Sequence, residues 1–298
     1  MMKILITDGI SSFGKTILKD NQIDFDIQYY NHEDLVKVIP EYDGMLVRSA
    51  TNVPKDVIDA GKNLKFIARG GTGIDNIDHE YAKSKGIPVL NTPGANSASV
   101  SELVFAHMFA LARFIPQANI TMRNGEWNKK AYKGYELAGK TLGIVGFGKI
   151  GQITAKMALA FGMNVIAFDM IDIKTDLDVR TVTKEELLKE SDFITLHVPK
   201  KAQNFITRAE FELMKPTAFI INTSRGGVVN EDDLIEALTS GKIAGAGIDA
   251  FLNEPTPNPQ LINHPKVSVT PHIGASTKEA QDRIGIEIAE KIVALFKK

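Results

Sequence analysis

A chain of 298 residues is longer than one hydrophobic core usually organises, so two domains are expected. Hydrophobic residues make up 44% and charged residues 24%, and the formal net charge is −1, which argues against a disordered chain and against a globally basic binder of nucleic acid or anionic membrane. Cysteine is absent, which excludes disulfides and thiolate metal sites, and no apolar run approaches the roughly 18 residues of a membrane span.

The start, Met-Met-Lys-Ile-Leu-Ile-Thr-Asp, reaches an acid too soon for a signal peptide, so a soluble cytoplasmic protein is expected. Over the first ninety residues short apolar runs alternate with amphipathic stretches. Strands are expected at Lys3–Thr7, Phe25–Tyr29, Gly44–Val47, Lys65–Ala68 and Ile87–Leu90, with helices near 15–21, 31–39, 55–60 and 79–85. That alternation predicts a parallel sheet with crossover helices, a small doubly wound domain. Gly9-Ile-Ser-Ser-Phe-Gly14-Lys15-Thr16 satisfies the P-loop pattern, but no other strand of this half ends in the acid that magnesium would need. The match is read as a decoy. Two turns look functional, Arg48-Ser49-Ala50 and Arg69-Gly70-Gly71-Thr72-Gly73, each just after a strand. Their backbone N–H groups and arginines suit a carboxylate or a phosphate.

Ser97–Phe114 reads as one buried, serine-capped helix carrying His107, taken as a packed core histidine. Trp127 stands among polar residues in the 123–130 segment, either a subunit contact or a loop anchor. Beyond it, strands are expected at Leu142–Gly146, Asn164–Phe168, Phe193–His197, Ala218–Asn222, Ala246–Asp249 and Val267–Thr270, six in all.

The first of these strands runs straight into Gly146-Phe-Gly148-Lys-Ile-Gly151. Gly146 permits the tight turn, Gly148 a close approach of backbone to pyrophosphate, and Gly151 close packing of helix on strand. The helix start offers unpaired N–H groups and the positive end of a dipole to that anion. The next strand ends in Asp169, which can hold both ribose hydroxyls and would repel a 2′-phosphate. The cofactor expected is NAD. The Leu-His197-Val198-Pro199 turn reads as lining of the adenine pocket. Three further strands are followed by Arg225, Glu254 and His272. In a parallel sheet these share one edge with the glycine turn, and they form the set that hydride transfer at a carbonyl requires. The arginine grips a carboxylate and polarises the carbonyl, the histidine exchanges the hydroxyl proton, and the glutamate orients and charges the histidine.

With these motifs in hand, the sequence resembles the D-2-hydroxyacid dehydrogenase family over nearly its whole length. The resemblance rests on residues 69–78 (Arg-Gly-Gly-Thr-Gly-Ile-Asp-Asn-Ile-Asp), 91–97, 146–151, 224–227, 253–255 and 271–280. It implies two doubly wound α/β domains. A Rossmann domain spans 96–275, and a discontinuous, flavodoxin-like substrate domain spans 1–95 and 276–298, completed by the last helix. It implies catalysis by Arg225, Glu254 and His272, and NAD contacts from Lys149, Ile150, Asp169, Val198, Thr223, Ser224, Gly274 and Ala275. Thr72 is expected to reach across the cleft and Asp249 to meet the nicotinamide carboxamide. The phosphoglycerate branch of the family is the best match. That implies oxidation of 3-phospho-D-glycerate at the entry to serine synthesis, with Arg48, Ser49, Arg69, Gly70, Gly71 and a neighbouring subunit's Lys129 on the substrate. Glyoxylate or hydroxypyruvate reduction is the alternative, and an NAD-sensing binding protein a third. A homodimer through the 123–130 segment is also implied, with no metal. The sequence stops at Lys298, without the C-terminal regulatory domain of many relatives, so serine feedback by that route is expected to be absent.

Overall fold

The computed structural model describes residues 2–296. The chain divides into two compact units, one running to Asn96 and resuming at Ala275, the other spanning Ser97–Gly274. These limits lie one residue inside the expected ones: Asn96 is tied to the first unit by the Thr72 hydroxyl, and Ala275 by the Gln281 amide.

In the first unit, β1 (Lys3–Ile6), α1 (Ser12–Asp20), β2 (Asp24–Ile27), α2 (His32–Val38), β3 (Gly44–Val47), α3 (Lys55–Ala60), β4 (Phe66–Arg69), α4 (His79–Ser84) and β5 (Val89–Asn91) alternate. The strands form one parallel sheet in the order β2-β1-β3-β4-β5, the flavodoxin-like winding. Successive side chains in a strand face opposite sides, so both faces must be covered. Leu5, Met45 and Ile67 meet Leu35 and Val57 from α2 and α3, whereas Ile4, Ile6, Leu46 and Phe66 meet Leu18 of α1.

The second unit begins with α5 (Ser97–Ala112) and α6 (Ile115–Arg123). The helix expected over Ser97–Phe114 ends at Ala112, Phe114 adopts φ +53°, and a second helix with Pro116 in its first turn follows that was not expected. A short 3-10 turn, Lys129–Tyr132, leads into β6 (Thr141–Val145), α7 (Lys149–Ala160), β7 (Asn164–Phe168), β8 (Arg180–Thr181), α8 (Lys184–Glu190), β9 (Phe193–Leu196), α9 (Arg208–Leu213), β10 (Phe219–Asn222), α10 (Glu231–Thr239), β11 (Gly245–Ile248), α11 (Pro259–Ile262) and β12 (Val267–Val269). Seven strands pair in parallel, in the order β12-β11-β10-β9-β6-β7-β8, where six were expected. The extra one, β8, has two exposed residues, too few to show a strand's alternation. The winding reverses between β6 and β9, the Rossmann order with its switch point there. One face packs Val104, Met108, Ala155 and Ala158 of α5 and α7 on Leu142, Ile144 and Phe193; the other packs Leu187, Phe211 and Leu234 of α8, α9 and α10 on Ile194, Leu196 and Ile220.

The last helix, α12 (Lys278–Phe296), returns to the first unit and places Ile288, Ala289 and Ile292 on the Ile4–Ile6 face. The P-loop look-alike is consumed by this packing. Ser11 caps α1, and a methyl on Gly14 would lie 2.6 Å from the carbonyl oxygen of Gly285 in α12 and clash with Ile10. Gly14→Ala ordinarily gains about 1 kcal/mol of helix propensity, but overpacking against backbone costs about 1–3 kcal/mol. A net loss and a lower melting temperature are expected by calorimetry; an unchanged or raised midpoint would show that α1 and α12 have room to spare.

Candidate active site

Gly146, the first glycine of the turn, takes φ +89°, and any side chain there would strike the carbonyl oxygen of His197 across the switch point. Gly151 is equally confined, because its own Cβ would strike the Gly146 carbonyl. At Gly148, by contrast, a Cβ would meet nothing within 4 Å. The protein's own packing therefore demands the outer glycines, and only an incoming group demands the middle one. Gly148 is also the cap of α7, a twelve-residue helix, so the positive end of the helix dipole faces the turn where an anion would sit. Asp169 follows β7, and its carboxylate accepts from Phe147 N at 2.7 Å and Ile171 N at 3.3 Å, which braces the glycine turn. Met170 beside it is exposed and brings no positive charge.

Two buried polar atoms near this edge, His197 Nδ1 and Thr223 Oγ1, make no hydrogen bond within the chain, as groups reserved for a ligand would. Burial pushes the His197 pKa down to about 3, so the ring is neutral. Val198 is half-buried and Pro199 exposed, Lys149 and Ile150 open α7, and Ser224 is buried after β10. These residues fit NAD: the 146–151 turn would take the pyrophosphate, Asp169 the ribose, and the 197–199 turn the adenine.

Arg225, Glu254 and His272 come together at the carboxyl ends of the adjacent strands β10, β11 and β12. His272 Nδ1 lies 2.8 Å from Glu254 Oε2, and Glu254 Oε1 accepts the Phe251 N–H at 2.9 Å. The His272 side chain is 42% accessible, so its other nitrogen is left to meet substrate. Its backbone is left-handed at φ +52°, a conformation an L-residue holds only when its surroundings enforce it. The hydrogen bond to Glu254 holds the His272 pKa above its ordinary 6.5, outweighing burial and the repulsion of Arg225. Burial works to raise Glu254, but the bonds from His272 and Phe251 and the nearby charges of His272 and Arg225 bring it below the usual carboxylate value.

Two residues brace these turns, the first of them with no sign of a role in the sequence. Asn222, buried at the end of β10, accepts from Ser224 N and Oγ and donates to the Arg225 carbonyl at 2.9 Å, an Asx-type staple on the arginine turn. Asp249 was expected to face nicotinamide. It is 0% exposed, and its carboxylate accepts from Thr270 Oγ1 at 2.7 Å, Ile273 N at 2.8 Å and Gly274 N at 2.9 Å. Most of its acceptor capacity goes to the turn that carries His272.

The remaining substrate candidates belong to the first unit, apart from Lys129, which sits exposed in the 3-10 turn of the second. Arg48 follows β3 and Arg69 ends the neighbouring β4, and both side chains pass the Gly70–Gly71 turn: a Cβ on Gly71 would clash with the Arg69 guanidinium, and one on Gly70 would sit 3.4 Å from the Arg48 Cγ. Burial lowers the Arg48 pKa, with the Asp8 charge opposing. Asp8, another residue without a signal in the sequence, accepts from Arg48 N at 2.6 Å and Thr51 N at 3.2 Å and so sets the 48–51 loop, whose exposed Ser49 lies beside Arg48. Thr72 donates to Asn96 within the same unit.

The family profile for the NAD-binding domain of D-isomer-specific 2-hydroxyacid dehydrogenases matches residues 105–274. The hydroxypyruvate reductase of Thermotoga maritima is 50% identical over 281 residues, 93% of this chain and 92% of that protein. The D-3-phosphoglycerate dehydrogenase of Methanocaldococcus jannaschii is 45% identical over 299 residues, 98% of this chain. This chain spans 57% of the length of that relative. Among solved structures, a glyoxylate reductase from Paecilomyes thermophila superposes with a TM-score of 0.91 at 29% identity, covering 100% of this chain and 96% of that one. The chain belongs to the D-2-hydroxyacid dehydrogenase family. Its cofactor is NAD, held by the unit that carries Arg225, Glu254 and His272.

The pair gives a pH signature. With His272 as the acid/base proposed below, reduction of a 2-oxo acid would need it protonated, so activity in that direction should persist above pH 6.5 and fall about tenfold per unit beyond the raised pKa, while oxidation rises over the same range. The stability His272 gains from Glu254 is present below the imidazole's unfolded pKa and lost as pH climbs through the folded one. Glu254's share is present above its unfolded pKa and lost as pH falls through the lowered folded value. In a pH–rate profile, Glu254→Gln should pull the alkaline limb of reduction back toward 6.5; an unmoved limb would remove Glu254 as its cause.

Proposed function

We propose that the protein oxidises 3-phospho-D-glycerate to 3-phosphohydroxypyruvate with NAD. The observation that supports this substrate is the pair Arg48 and Arg69 on adjacent strand ends, more positive charge than one carboxylate needs when Arg225 already serves that group. Bound NAD supplies the hydride acceptor. In the oxidative direction neutral His272 takes the hydroxyl proton at Nε2, while Nδ1 stays on Glu254, whose carboxylate supports the ring as it becomes charged. Arg225 holds the substrate carboxylate and polarises the developing carbonyl. In reduction the same nitrogen returns the proton.

A second reading, reduction of unphosphorylated hydroxypyruvate, is favoured by the Thermotoga relative, which is more identical and matched along nearly its full length. Comparing kcat/KM for phosphohydroxypyruvate, hydroxypyruvate and glyoxylate separates the two. Under the first reading the phosphorylated acid wins, and Arg48→Ala costs it about tenfold or more, as loss of a charged hydrogen bond does, with little change for hydroxypyruvate. Preference for the unphosphorylated acids sinks the first reading and keeps the chemistry. In the same proposal the protein is a cytoplasmic homodimer through the 123–130 segment, where Trp127 is 78% exposed, and Lys129 serves the neighbouring subunit's substrate. Sedimentation of the native and Trp127→Glu proteins tests it: a monomer before substitution would refute it.

A further inference from the structure

His107 is the least conspicuous histidine of the chain. It sits on the buried face of α5, 2% exposed, and its Cβ presses so closely on β11 that a methyl on Gly247 would lie 2.7 Å from it. Yet both ring nitrogens are engaged, Nδ1 with Ser268 Oγ at 2.9 Å and Nε2 with Thr270 Oγ1 at 3.0 Å. The direction of each bond follows from its neighbour. Thr270 has one hydroxyl proton and gives it to Asp249 Oδ1 at 2.7 Å, so it must accept from His107 Nε2–H. Nδ1 is then the bare nitrogen that accepts from the Ser268 hydroxyl. Burial keeps the ring neutral by lowering its pKa, with only the Asp249 charge opposing, so this single tautomer holds across the working pH range.

The chain therefore runs Ser268, His107, Thr270, Asp249, and it ends on the Ile273 and Gly274 N–H groups, the two residues directly after His272. We infer that His107 is a positioning residue, the outer end of a hydrogen-bonded chain that holds Asp249 and, through it, the left-handed turn presenting His272 to Glu254. The inference rests on His272 being the acid/base of the dehydrogenase reaction. Without a donor at Nε2, Thr270 is free to rotate its hydroxyl from Asp249, and the enforced φ of +52° loses part of its support.

The test uses the full chain and pairs His107→Met, which fills the space without a donor, with His107→Gln, which restores an N–H near Nε2. His107→Met should lower kcat about tenfold or more while the Kd for NADH moves less than about twofold, since an ångström of misplacement at a reacting group costs on the order of 10² in rate. His107→Gln should recover most of kcat. Independently of any substrate, amide exchange at Ile273 and Gly274 should speed up in His107→Met and return to native rates in His107→Gln. That arm reads the chain even if no 2-oxo acid tried is turned over, an outcome that would count against the functional reading alone. If His107→Met does not melt cooperatively, Thr270→Val cuts the same chain at its next link and should give the same exchange pattern. Native exchange and native kcat in the folded His107→Met or Thr270→Val protein would overturn the inference, as would His107→Met and His107→Gln being equally impaired, the result expected of a residue that only fills space.

Discussion

Replacing His272 by Gln should lower kcat/KM about 10³-fold, within the range that a positioned acid/base contributes, while the Kd for NADH stays within about twofold of native. The reasoning is local. Gln approximates the size and can donate to Glu254 Oε2, so the 2.8 Å contact that orients the side chain is replaceable. What it cannot do is carry a proton at the outer nitrogen with a pKa near working pH. Loss should therefore fall on kcat and be nearly flat with pH, because the titrating group has gone. The NAD contacts we propose on the glycine turn, Asp169 and the 197–199 turn come from residues far from His272 in the chain, so they should survive the substitution. Steady-state kinetics together with fluorescence titration of NADH check both halves; loss of NADH affinity in parallel with kcat would mean that His272 shapes the cofactor site instead.

The second large effect is expected at a residue with no functional group. A Cβ on Gly226 would be driven into the backbone carbonyl of Phe251 and would crowd Leu252 N. Backbone has no alternative rotamer, so the loop after β10 and the loop after β11 must separate. One carries Arg225; the other carries Glu254 through the Phe251 N–H. Gly226→Ala should therefore reduce kcat/KM about 10²-fold or more by spreading the carboxylate-binding and proton-exchanging groups, and cost about 1–3 kcal/mol of stability from overpacking. Thermal melting and kinetics on one preparation test it. A native-like melting temperature with native kcat/KM would show that the loops part without consequence. The Ser-Arg-Gly-Gly run thus owes its first glycine to the approach of two strands' loops, quite apart from the substrate.

How much of this was legible in the sequence depends on whether a residue's role has a local pattern. The glycine turn, Asp169 and the three residues after β10, β11 and β12 were visible because strand ends, glycines and charged side chains coincide at fixed offsets. The winding of both sheets followed from alternation of apolar runs with helices. β8 stayed hidden because two exposed residues have no periodicity, and α6 because none of its residues is buried and its apolar and polar residues mark no clear face. Asn222, Asp8 and the Ser268–His107–Thr270–Asp249 chain were silent for another reason. For Asp8 and the histidine chain the partners lie up to 163 residues away, so nothing local marks them, whereas Asn222 meets Ser224 and Arg225 close by but reads like any strand-end asparagine. A lone histidine on an apolar helix reads as core, and so it is; what the sequence does not state is which hydroxyls it meets. Asp249 was legible as a candidate from its place after a strand; the hydrogen bonds it accepts from Thr270, Ile273 and Gly274 were not, because no local pattern announces them.

The return of α12 to the first sheet has a consequence for how the protein is made. As the chain leaves the ribosome, the β-strands of the first unit emerge before the second unit, yet one face of their sheet, Ile4, Ile6, Leu46 and Phe66, is covered in part by Ile288, Ala289 and Ile292, which emerge after it. The contiguous unit in between has all its parts by Gly274 and can fold while translation continues, because domains fold as units once complete. The first unit is thus completed only after the second, and during the interval its bare apolar face is the natural client of a holding chaperone.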